Sequence, residues 1–284
     1  MNISAAPLLR PAVMKDSAGI FDLFSAKRYV HRHPGWRNLE DWVNRPPFWV
    51  LEDPSRSLTA ALSCPVEPAG VAWVRLFATR FPNRPAQTWP LLFEKVYLAL
   101  PETKPIVAAL GIENWFCELL GKHQFQEQNS IVILYWEAHR FPQKPHTPHL
   151  KLRKMHSSDL IHVLRLDQQA FQPLWQLSWE ALSSAFHLSA YATVAELDGK
   201  IAGYQISTTT HTSTCLERLA VSPGLQNQGI GAALVYDLIQ EYQVSNATHL
   251  TVNTQKDNLP SQTLYKKMGF NYTGEIYPVF VYQP

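Results

Sequence analysis

Cysteine is scarce in this sequence, and the few cysteines lie far apart. Only Cys64, Cys117 and Cys215 occur among 284 residues, which is too few for a disulfide framework, and no two of them form a Cys-x-x-Cys metal motif. This usage favours a reducing compartment, so we expect a cytoplasmic protein. His31 and His33 are candidate metal ligands, but we expect them to lie in a solvated loop and expect no metal.

Long apolar runs and a large excess of one charge are also missing. No stretch approaches the roughly 18 consecutive apolar residues that a membrane-spanning helix needs, and the start of the chain lacks the basic head and apolar core of a signal peptide. The formal net charge is only +2, and no long basic stripe is present to follow a phosphate backbone. We therefore expect no membrane and no nucleic acid as partners.

The chain has enough apolar residues and enough length for two folded domains. Hydrophobic residues make up 46% of it and charged residues 17%, which is typical of a globular protein. The most linker-like stretch is "HRFPQKPHTPHLKLR" at 139–153, where prolines and histidines interrupt the periodic pattern. We predict a first domain at 1–140 and a second at 149–284.

The two halves resemble each other at an offset of about 143 residues, as an internal duplication would leave them. "LLRPAVMKDSAGIFDLF", which contains Arg10, corresponds to "KLRKMHSSDLIHVLRLD", which contains Arg153. "WVRLFATRFP" at 73–82 likewise stands where "LERLAVSPGL" stands at 216–225. The order of these matches predicts the same succession of strands and helices in each half.

Hydrophobic periodicity predicts an α+β (α/β three-layer) fold, with a mixed, mostly antiparallel sheet flanked by helices in each half. In the second half the predicted strands lie near 150–155, 191–197, 201–210, 214–221, 248–253 and 275–282, and the predicted helices near 158–169, 177–187, 229–243 and 260–268. Asp198-Gly199 suits a two-residue hairpin turn, because both positions of such a turn need positive backbone φ angles.

A glycine-containing loop follows one predicted strand and precedes a predicted helix. Gln226, Gly229 and Gly231 stand there as Q-x-x-G-x-G. A helix N-terminus leaves about four backbone N–H groups unpaired, and glycines allow a phosphate to approach them, so the loop suits a pyrophosphate without any lysine. An ordinary turn with close helix packing is the alternative, and a nucleotide is a further candidate ligand.

The loop resembles motif A of the GNAT superfamily of acetyl-CoA-dependent N-acetyltransferases. "RLAVSPGLQNQGIGAALV" agrees with that motif, L-A-V-x-P followed by Q/R-x-x-G-x-G/A and a helix. "NLPSQTLYKKMGF" at 258–270 is similar to motif B of the same family, with Ser261 in place of the usual alanine. The resemblance covers residues 149–284, and the first half only through the internal echo, so it implies two tandem GNAT-like domains.

The resemblance implies acetyl-CoA as co-substrate, with its pyrophosphate on the backbone from 226 to 232 and its pantetheine paired to the preceding strand. The residues that it implies for binding the coenzyme are Leu219, Ala220, Val221, Gln226, Asn227, Gln228, Gly229, Ile230, Gly231, Ala232, Asn258, Ser261 and Tyr265.

The same resemblance implies an acid for the chemistry, and strand alternation suggests a base. Motif B places Tyr265 as the acid that protonates the coenzyme sulfur, although it is alternatively an aromatic residue of the core. Glu217 shares a strand face with Leu219 by two-residue alternation, and we expect it to act as the base; the alternative is an ion pair with Arg218 or Arg153. Relatives that carry this glutamate elsewhere have it at the positions of Cys215 or Asn253.

The expected reaction is transfer of an acetyl group to a primary amine, on a small molecule or at a peptide N-terminus. Phe171, Trp175 and Tyr277 are candidates for walling the acceptor pocket, with plain core packing as the alternative. The stretch "ATRFPNRPAQTWPLLF" of the first half has no glycine and three prolines, so we expect the first half to lack the coenzyme site. Its candidate roles are to pack on the second half, to close the acceptor cleft, or to mediate pairing between copies of the chain. A protein that binds acyl-CoA without turnover, as a sensor or scaffold, is the second hypothesis.

Overall fold

The computed structural model describes residues 7–25, 28–80, 83–136, 141–210, 213–244 and 249–284, which form two compact units. Unit 1 consists of Met1–Gln128 with Tyr277–Pro284, and unit 2 consists of Asn129–Ile276. The domains at 1–140 and 149–284 stay a prediction. The boundaries between the two units lie at other residues, within the strands Phe125–Trp136 and Phe270–Tyr282. Residues 137–140, at the end of the first predicted domain, lie outside the described residues.

The strands are β1 (Leu8–Pro11), β2 (Val30–Arg32), β3 (Phe48–Glu52), β4 (Leu58–Ser63), β5 (Val71–Trp73), β6 (Leu76–Thr79), β7 (Ile106–Leu110), β8 (Phe125–Trp136), β9 (Leu150–Lys154), β10 (Tyr191–Leu197), β11 (Lys200–Thr209), β12 (Ser213–Val221), β13 (His249–Gln255) and β14 (Phe270–Tyr282). The α-helices are α1 (Ser17–Ser25), α2 (Leu39–Val43), α3 (Pro85–Ala99), α4 (Asn114–Gly121), α5 (Leu160–Ala170), α6 (Trp179–Leu188), α7 (Ile230–Val244) and α8 (Leu259–Lys267). Among the helices of the described residues, none combines the length and the apolar character that crossing a membrane requires.

Unit 1 contains an antiparallel sheet in the order β1-β3-β4-β6-β2, covered on both faces. Ala60 belongs to a core cluster with Trp89 of α3, and its neighbour Ala61 belongs to a cluster with Ile20 of α1. Because successive residues of a strand point to opposite faces, α1 and α3 lie on opposite sides of this sheet. The unit also contains β5 paired in parallel with β7, and β7 paired antiparallel with Val279–Val281 of β14.

Unit 2 has its strands in the order β8-β13-β12-β11-β10-β9, and the β12–β13 pair alone among these described pairs is parallel. A Cβ built on Gly203 of β11 would contact Ile230 and Leu234 of α7, whereas the hydroxyl of the next residue, Tyr204, donates to Asp167 of α5. Helices α5 and α7 therefore cover opposite faces of the sheet. This confirms the predicted three-layer α/β arrangement.

The predicted elements of unit 2 agree with the observed ones to within a few residues, except at the closing strand. Asp198 and Gly199 have φ angles of 51° and 75° between β10 and β11, as the predicted hairpin turn requires. The closing strand begins at Phe270 rather than near 275. Gly274, with φ of 92°, lies within the observed strand.

The predicted internal echo corresponds to a repeated ion-pair cluster. In unit 1, Arg10 donates to Asp16 at 2.7 and 2.9 Å and to Glu52 at 2.7 and 2.9 Å. In unit 2, Arg153 donates to Asp159 at 2.7 and 2.9 Å and to Glu196 at 2.6 and 2.8 Å. In both units the aspartate also accepts a backbone N–H three residues before it at 2.8 Å. The same cluster therefore joins the first strand to the first helix in each unit.

Candidate active site

Strands β12 and β13 of unit 2 diverge part way along their length. They pair only from Ser213 to Leu216 on β12, opposite 249–252 on β13. Beyond that point β12 continues to pair with β11 through Val221, and β13 continues to pair with β8 through Gln255. The edge of β12 that faces β13 is thus left without a described strand partner over 217–221, and such an edge can pair with an extended ligand.

A β-bulge lies where the divergence begins. Leu216 is opposite Ser207 and Arg218 is opposite Ile206, so Glu217 is the extra residue that is opposite no residue of β11 in the backbone register. A bulge bends its strand and changes the direction of a side chain. Two-residue alternation from Leu219 therefore does not give the direction of the Glu217 side chain, because the bulge sets that direction locally.

The loop after β12 ends in a helix N-terminus with free donors. A 3-10 turn at Pro223–Leu225 leads to Gln226, and the first helical hydrogen bond of α7 runs from the Ala233 N–H to the Gly229 carbonyl at 2.9 Å. Within the described residues, the backbone N–H groups from 226 to 232 have no hydrogen-bond partner. Asn227 and Gly229 have φ angles of 62° and 84°, and this curvature forms a concave loop of amide donors that suits an anion.

Glycine is required in this loop for two different reasons. Gly229 has a left-handed φ, and a Cβ on it would lie 3.2 Å from Thr147 Cγ2. Gly231 lies in the first turn of α7 next to α8, and a Cβ on it would lie 3.1 Å from Leu264 Cδ2. Close helix packing, the alternative explanation for the glycine pair, therefore accounts for Gly231 but leaves the unpartnered N–H groups to be explained.

A cavity of about 610 Å³ opens beside this loop, wholly within unit 2. It brings together most of the residues that the sequence singled out. Those lining it are Phe171, Trp175, Leu219, Ala220, Val221, Gln226, Asn227, Gly229, Ile230, Gly231, Ala232, Asn258 and Ser261. Gln228, Glu217 and Tyr265 are not among the described lining residues. Tyr277 belongs to unit 1, and its role stays a prediction.

Sequence reasoning missed several polar residues that line the same cavity. Gln255 is the last residue of β13, Asp257 follows that strand, and Lys267 ends α8. The signal for the first two was available, because the carboxyl ends of neighbouring parallel strands meet at one edge of a sheet. Gln172 of the α5–α6 connection also lines the cavity, without a sequence signal that we can identify.

Asn258 of motif B has a structural task. Its side chain accepts the backbone N–H of Ser261 at 3.2 Å and caps the N-terminus of α8. Such caps stabilise a helix by about 1 kcal/mol. The asparagine therefore positions the first turn of α8 at the cavity wall, whatever else it contacts.

Tyr265 is buried, being only 4% exposed, in the core between α7, α8 and the sheet. Its ring lies 5.7 Å from that of Phe270. Burial first, and then the nearby Cys215, raise the pKa of the Tyr265 phenol above its ordinary value. The hydroxyl is thus protonated at neutral pH, which a proton donor requires.

The surroundings of Glu217 contradict the alternative of an ion pair with a neighbouring arginine. Arg218 forms an ion pair with Asp167, and Arg153 forms ion pairs with Asp159 and Glu196. Glu217 accepts a hydrogen bond from the Thr208 hydroxyl at 2.7 Å instead. Burial first, and then Glu217, raise the pKa of the Cys215 thiol to about 12. A thiol with that pKa is protonated at neutral pH, which argues against Cys215 as a nucleophile.

The start of α3 in unit 1, which corresponds to the loop at 226–232 of unit 2, differs from that loop. Helix α3 starts at Pro85, which has no N–H, and the Gln87 N–H is already bonded to the Arg84 carbonyl at 2.9 Å. The absence of a coenzyme site in unit 1 stays a prediction.

The expectation that His31 lies in a solvated loop is wrong. His31 is fully buried, with Nδ1 3.0 Å from Glu113, because its ring stacks on an aromatic residue of α4. No group of three or more metal-ligating side chains occurs among the residues with described positions.

Known proteins resemble the second half of the chain in sequence. The model of the acetyltransferase (GNAT) family matches residues 160–270. The chain is 26% identical over 125 residues to an uncharacterized N-acetyltransferase of Methanocaldococcus jannaschii, a match that covers 42% of this chain and 76% of that protein. It is also 26% identical over 126 residues to a putative ribosomal protein bS18-alanine N-acetyltransferase of Bacillus subtilis, covering 43% of this chain and 82% of that one.

Solved structures resemble the chain over nearly its whole length. A tandem GNAT protein from the clavulanic acid biosynthesis pathway has a TM-score of 0.65 at 15% identity, covering 97% of this chain and 98% of that chain. A GCN5-related N-acetyltransferase from Sphaerobacter thermophilus has a TM-score of 0.63 at 16% identity, covering 98% and 96%. These likenesses show the fold alone, and they confirm the predicted tandem arrangement.

Proposed function

Because this chain is a member of the GNAT superfamily of acetyltransferases, we propose that unit 2 transfers an acetyl group from acetyl-CoA to a primary amine, by direct attack in a ternary complex. Membership of the family makes the chain an acyltransferase that acts on amines. The observation that supports this reaction is the row of backbone N–H groups at 226–232, which have no partner in the described part of the chain, beside the edge of β12 that no described strand covers. Acetyl-CoA, when bound, supplies an acyl group activated as a thioester.

The residues of the cavity fit the parts of that coenzyme. The N–H groups from Gln226 to Ala232 would donate to the pyrophosphate, helped by the partial positive charge at the start of α7. The backbone of Leu219 to Val221 would pair with the pantetheine amides, as an added strand pairs with a sheet edge. Asn258 and Ser261 line the same cavity. A site of this kind needs no lysine, because amide donors hold the anion.

Two side chains would handle the protons of the transfer. The amine nitrogen forms its new bond to the acyl carbon while the bond from that carbon to sulfur breaks. The carboxylate of Glu217 would accept the proton that the nitrogen releases, directly or through water, and the hydroxyl of Tyr265 would donate its proton to the departing sulfur. Holding both reactants in one cavity can contribute about 7–11 kcal/mol in favourable cases, so no covalent intermediate with the protein is needed.

The acceptor side of the cavity is supported by Phe171 and Trp175, which line it from the α5–α6 connection. Two aromatic walls suit an amine attached to an apolar or extended group, such as a small organic amine or a peptide N-terminus. The name of the Bacillus subtilis relative refers to an alanine of a ribosomal protein, which favours peptides with an N-terminal alanine as the first acceptors to assay.

Thiol release from acetyl-CoA tests the proposal. We expect release to depend on added amine, with a panel of N-terminal alanine peptides and small primary amines, and to fall on the order of 100-fold in Tyr265→Phe, as loss of a general acid does. Tyr97→Phe removes the hydroxyl of a half-buried tyrosine in unit 1, outside the proposed site, and serves as the control.

Two other outcomes would contradict the proposal in different ways. Coenzyme A binding, seen by calorimetry, without release for any amine would favour the sensor or scaffold hypothesis. Thermal stabilisation by ATP or NAD, and none by coenzyme A, would assign the loop to a nucleotide instead.

A further inference from the structure

A buried arginine next to the bulge joins β12 to the wall of the cavity. Arg218 donates through Nε to Asp167 Oδ2 at 2.8 Å, and its Nη2 lies 2.6 Å from the same oxygen. The same Nη2 donates to the backbone carbonyl of Trp175 at 2.6 Å. The side chain of Arg218 is 12% exposed and that of Asp167 is fully buried, so each charge depends on the other for compensation.

Asp167 extends this network along the same connection. Its Oδ1 accepts the backbone N–H of Leu177 at 2.9 Å, and its Oδ2 also accepts the hydroxyl of Tyr204. Its backbone carbonyl accepts the N–H of Phe171 at 3.0 Å. Asp167 therefore holds both ends of the segment from 171 to 177, Phe171 through its backbone carbonyl and Leu177 through its carboxylate. Arg218 holds the middle of the segment at Trp175.

The segment that is held in this way carries the proposed acceptor wall. The guanidinium of Arg218 lies 3.6 Å from the centre of the Phe171 ring, and at that distance it both stacks on the ring and attracts it electrostatically. Phe171, Gln172 and Trp175 all line the cavity. The carbonyl of Trp175 is the atom that Arg218 binds, so the arginine determines how far this wall stands from β12.

We infer that Arg218 is a positioning residue that couples the coenzyme strand to the acceptor wall. It directly precedes Leu219 to Val221, whose free edge would pair with the coenzyme, so this inference depends on the proposed function. A ligand that orders that edge reduces the motion of Arg218, and the arginine passes the restraint to residues 171–177 through Trp175, Asp167 and Phe171. Lysine cannot replace it, because a single ammonium group lacks the planar fork that binds a carboxylate and a carbonyl together.

Hydrogen exchange of the intact chain, with coenzyme A as the probe, tests this coupling without knowledge of the acceptor. In the wild type we expect coenzyme A to slow backbone exchange both in the loop at 226–232 and in the segment at 171–177. In Arg218→Lys we expect the loop to keep its protection, while the added protection at 171–177 falls on the order of tenfold, as loss of a charge-assisted hydrogen bond allows. Arg165→Lys on the exposed side of α5 is the matched control.

Asp167→Asn gives a second route to the same answer if Arg218→Lys does not fold. It retains an oxygen acceptor for the Leu177 N–H and removes the charge that holds Arg218, so it should also abolish the coupled protection at 171–177. Equal protection of 171–177 in the wild type and in a folded variant would overturn the inference. Protection of 226–232 with no change at 171–177 in the wild type would overturn it too, and would leave the proposed function standing. No protection at 226–232 in the wild type would instead contradict the proposed function.

Discussion

Leu264 on α8 lies directly against Gly231 in the first turn of α7, where a Cβ would come within 3.1 Å of Leu264 Cδ2. This contact brings the two helices together at the edge of the cavity that both of them line. The leucine can move by a few tenths of an ångström, but a branched side chain at Gly231 would need a larger displacement of α8. The spacing between the helices therefore determines what can stand at residue 231.

We expect Gly231→Val to weaken coenzyme A binding and to lower the free energy of unfolding by about 1–3 kcal/mol, since overpacking costs that much. Gly231→Ala should have a smaller effect. Gly121→Ala, in α4 with open space around it, is the control and should be neutral or stabilising by about 0.5–1 kcal/mol. Calorimetric titration and chemical unfolding measure both quantities, and unchanged binding in Gly231→Val would refute the packing argument.

Gly229→Ala should weaken coenzyme A binding through backbone strain. Its φ of 84° lies in the left-handed region, where a residue with a Cβ costs about 1–2 kcal/mol. Gly199→Ala, in the β10–β11 turn at φ of 75°, should cost the same stability, because both glycines have similar backbone angles. Only the change at Gly229 should raise the dissociation constant of coenzyme A; equal effects of both substitutions on binding would show that the loop has no special role.

Acid should weaken the repeated ion-pair cluster. Hydrogen bonding to Arg153 is the main cause that lowers the pKa of Asp159 below its ordinary 3.8, despite the opposing effect of burial. A carboxylate with a lowered folded-state pKa stabilises the protein above its unfolded pKa, and this contribution is lost as the pH falls through the folded value. We expect Asp159→Asn to lower the free energy of unfolding by about 2 kcal/mol at neutral pH.

The difference in stability between Asp159→Asn and the wild type should shrink as the pH falls below 3.8. Urea unfolding at several pH values measures it. Asp16→Asn should behave alike in unit 1, where Arg10 lowers the pKa of Asp16 in the same way. Asp198→Asn, at the exposed hairpin turn, is the control; a difference for Asp159→Asn that stays constant with pH would mean that packing, not charge, is lost.

Cys215 should react slowly with thiol reagents and should be dispensable for turnover. Burial is the main cause that raises the pKa of its thiol to about 12, so the thiolate that reacts is scarce at neutral pH. We expect alkylation of Cys215 in the native chain at least about 100-fold slower than that of free cysteine, measured by mass spectrometry of the digested protein. The unfolded chain is the control. Cys215→Ala should keep turnover within about twofold; loss of turnover on the order of 1,000-fold would restore the thiol as a nucleophile.

The local pattern of the sequence determined much of the fold and the glycine loop of the site. Hydrophobic periodicity placed α7 within a residue of its observed start at Ile230, because a long amphipathic helix repeats its signal over several turns. The hairpin at Asp198-Gly199 followed from the backbone angles that those two residue types adopt. The pairing of Arg10 with Asp16 and of Arg153 with Asp159 was visible only as an echo, since sequence shows which residues recur and not what they contact.

Tertiary structure alone decided how the site is assembled. The bulge at Glu217 arises from the register between β11 and β12, and a one-residue irregularity of that kind has no signature in a single strand. Burial of Tyr265, and the reach of Arg218 to Asp167 across 51 residues of sequence, depend on which helices cover which face of the sheet. Residue spacing along the chain specifies helices, turns and a loop of amide donors, whereas contacts between distant segments specify where charges and protons are held.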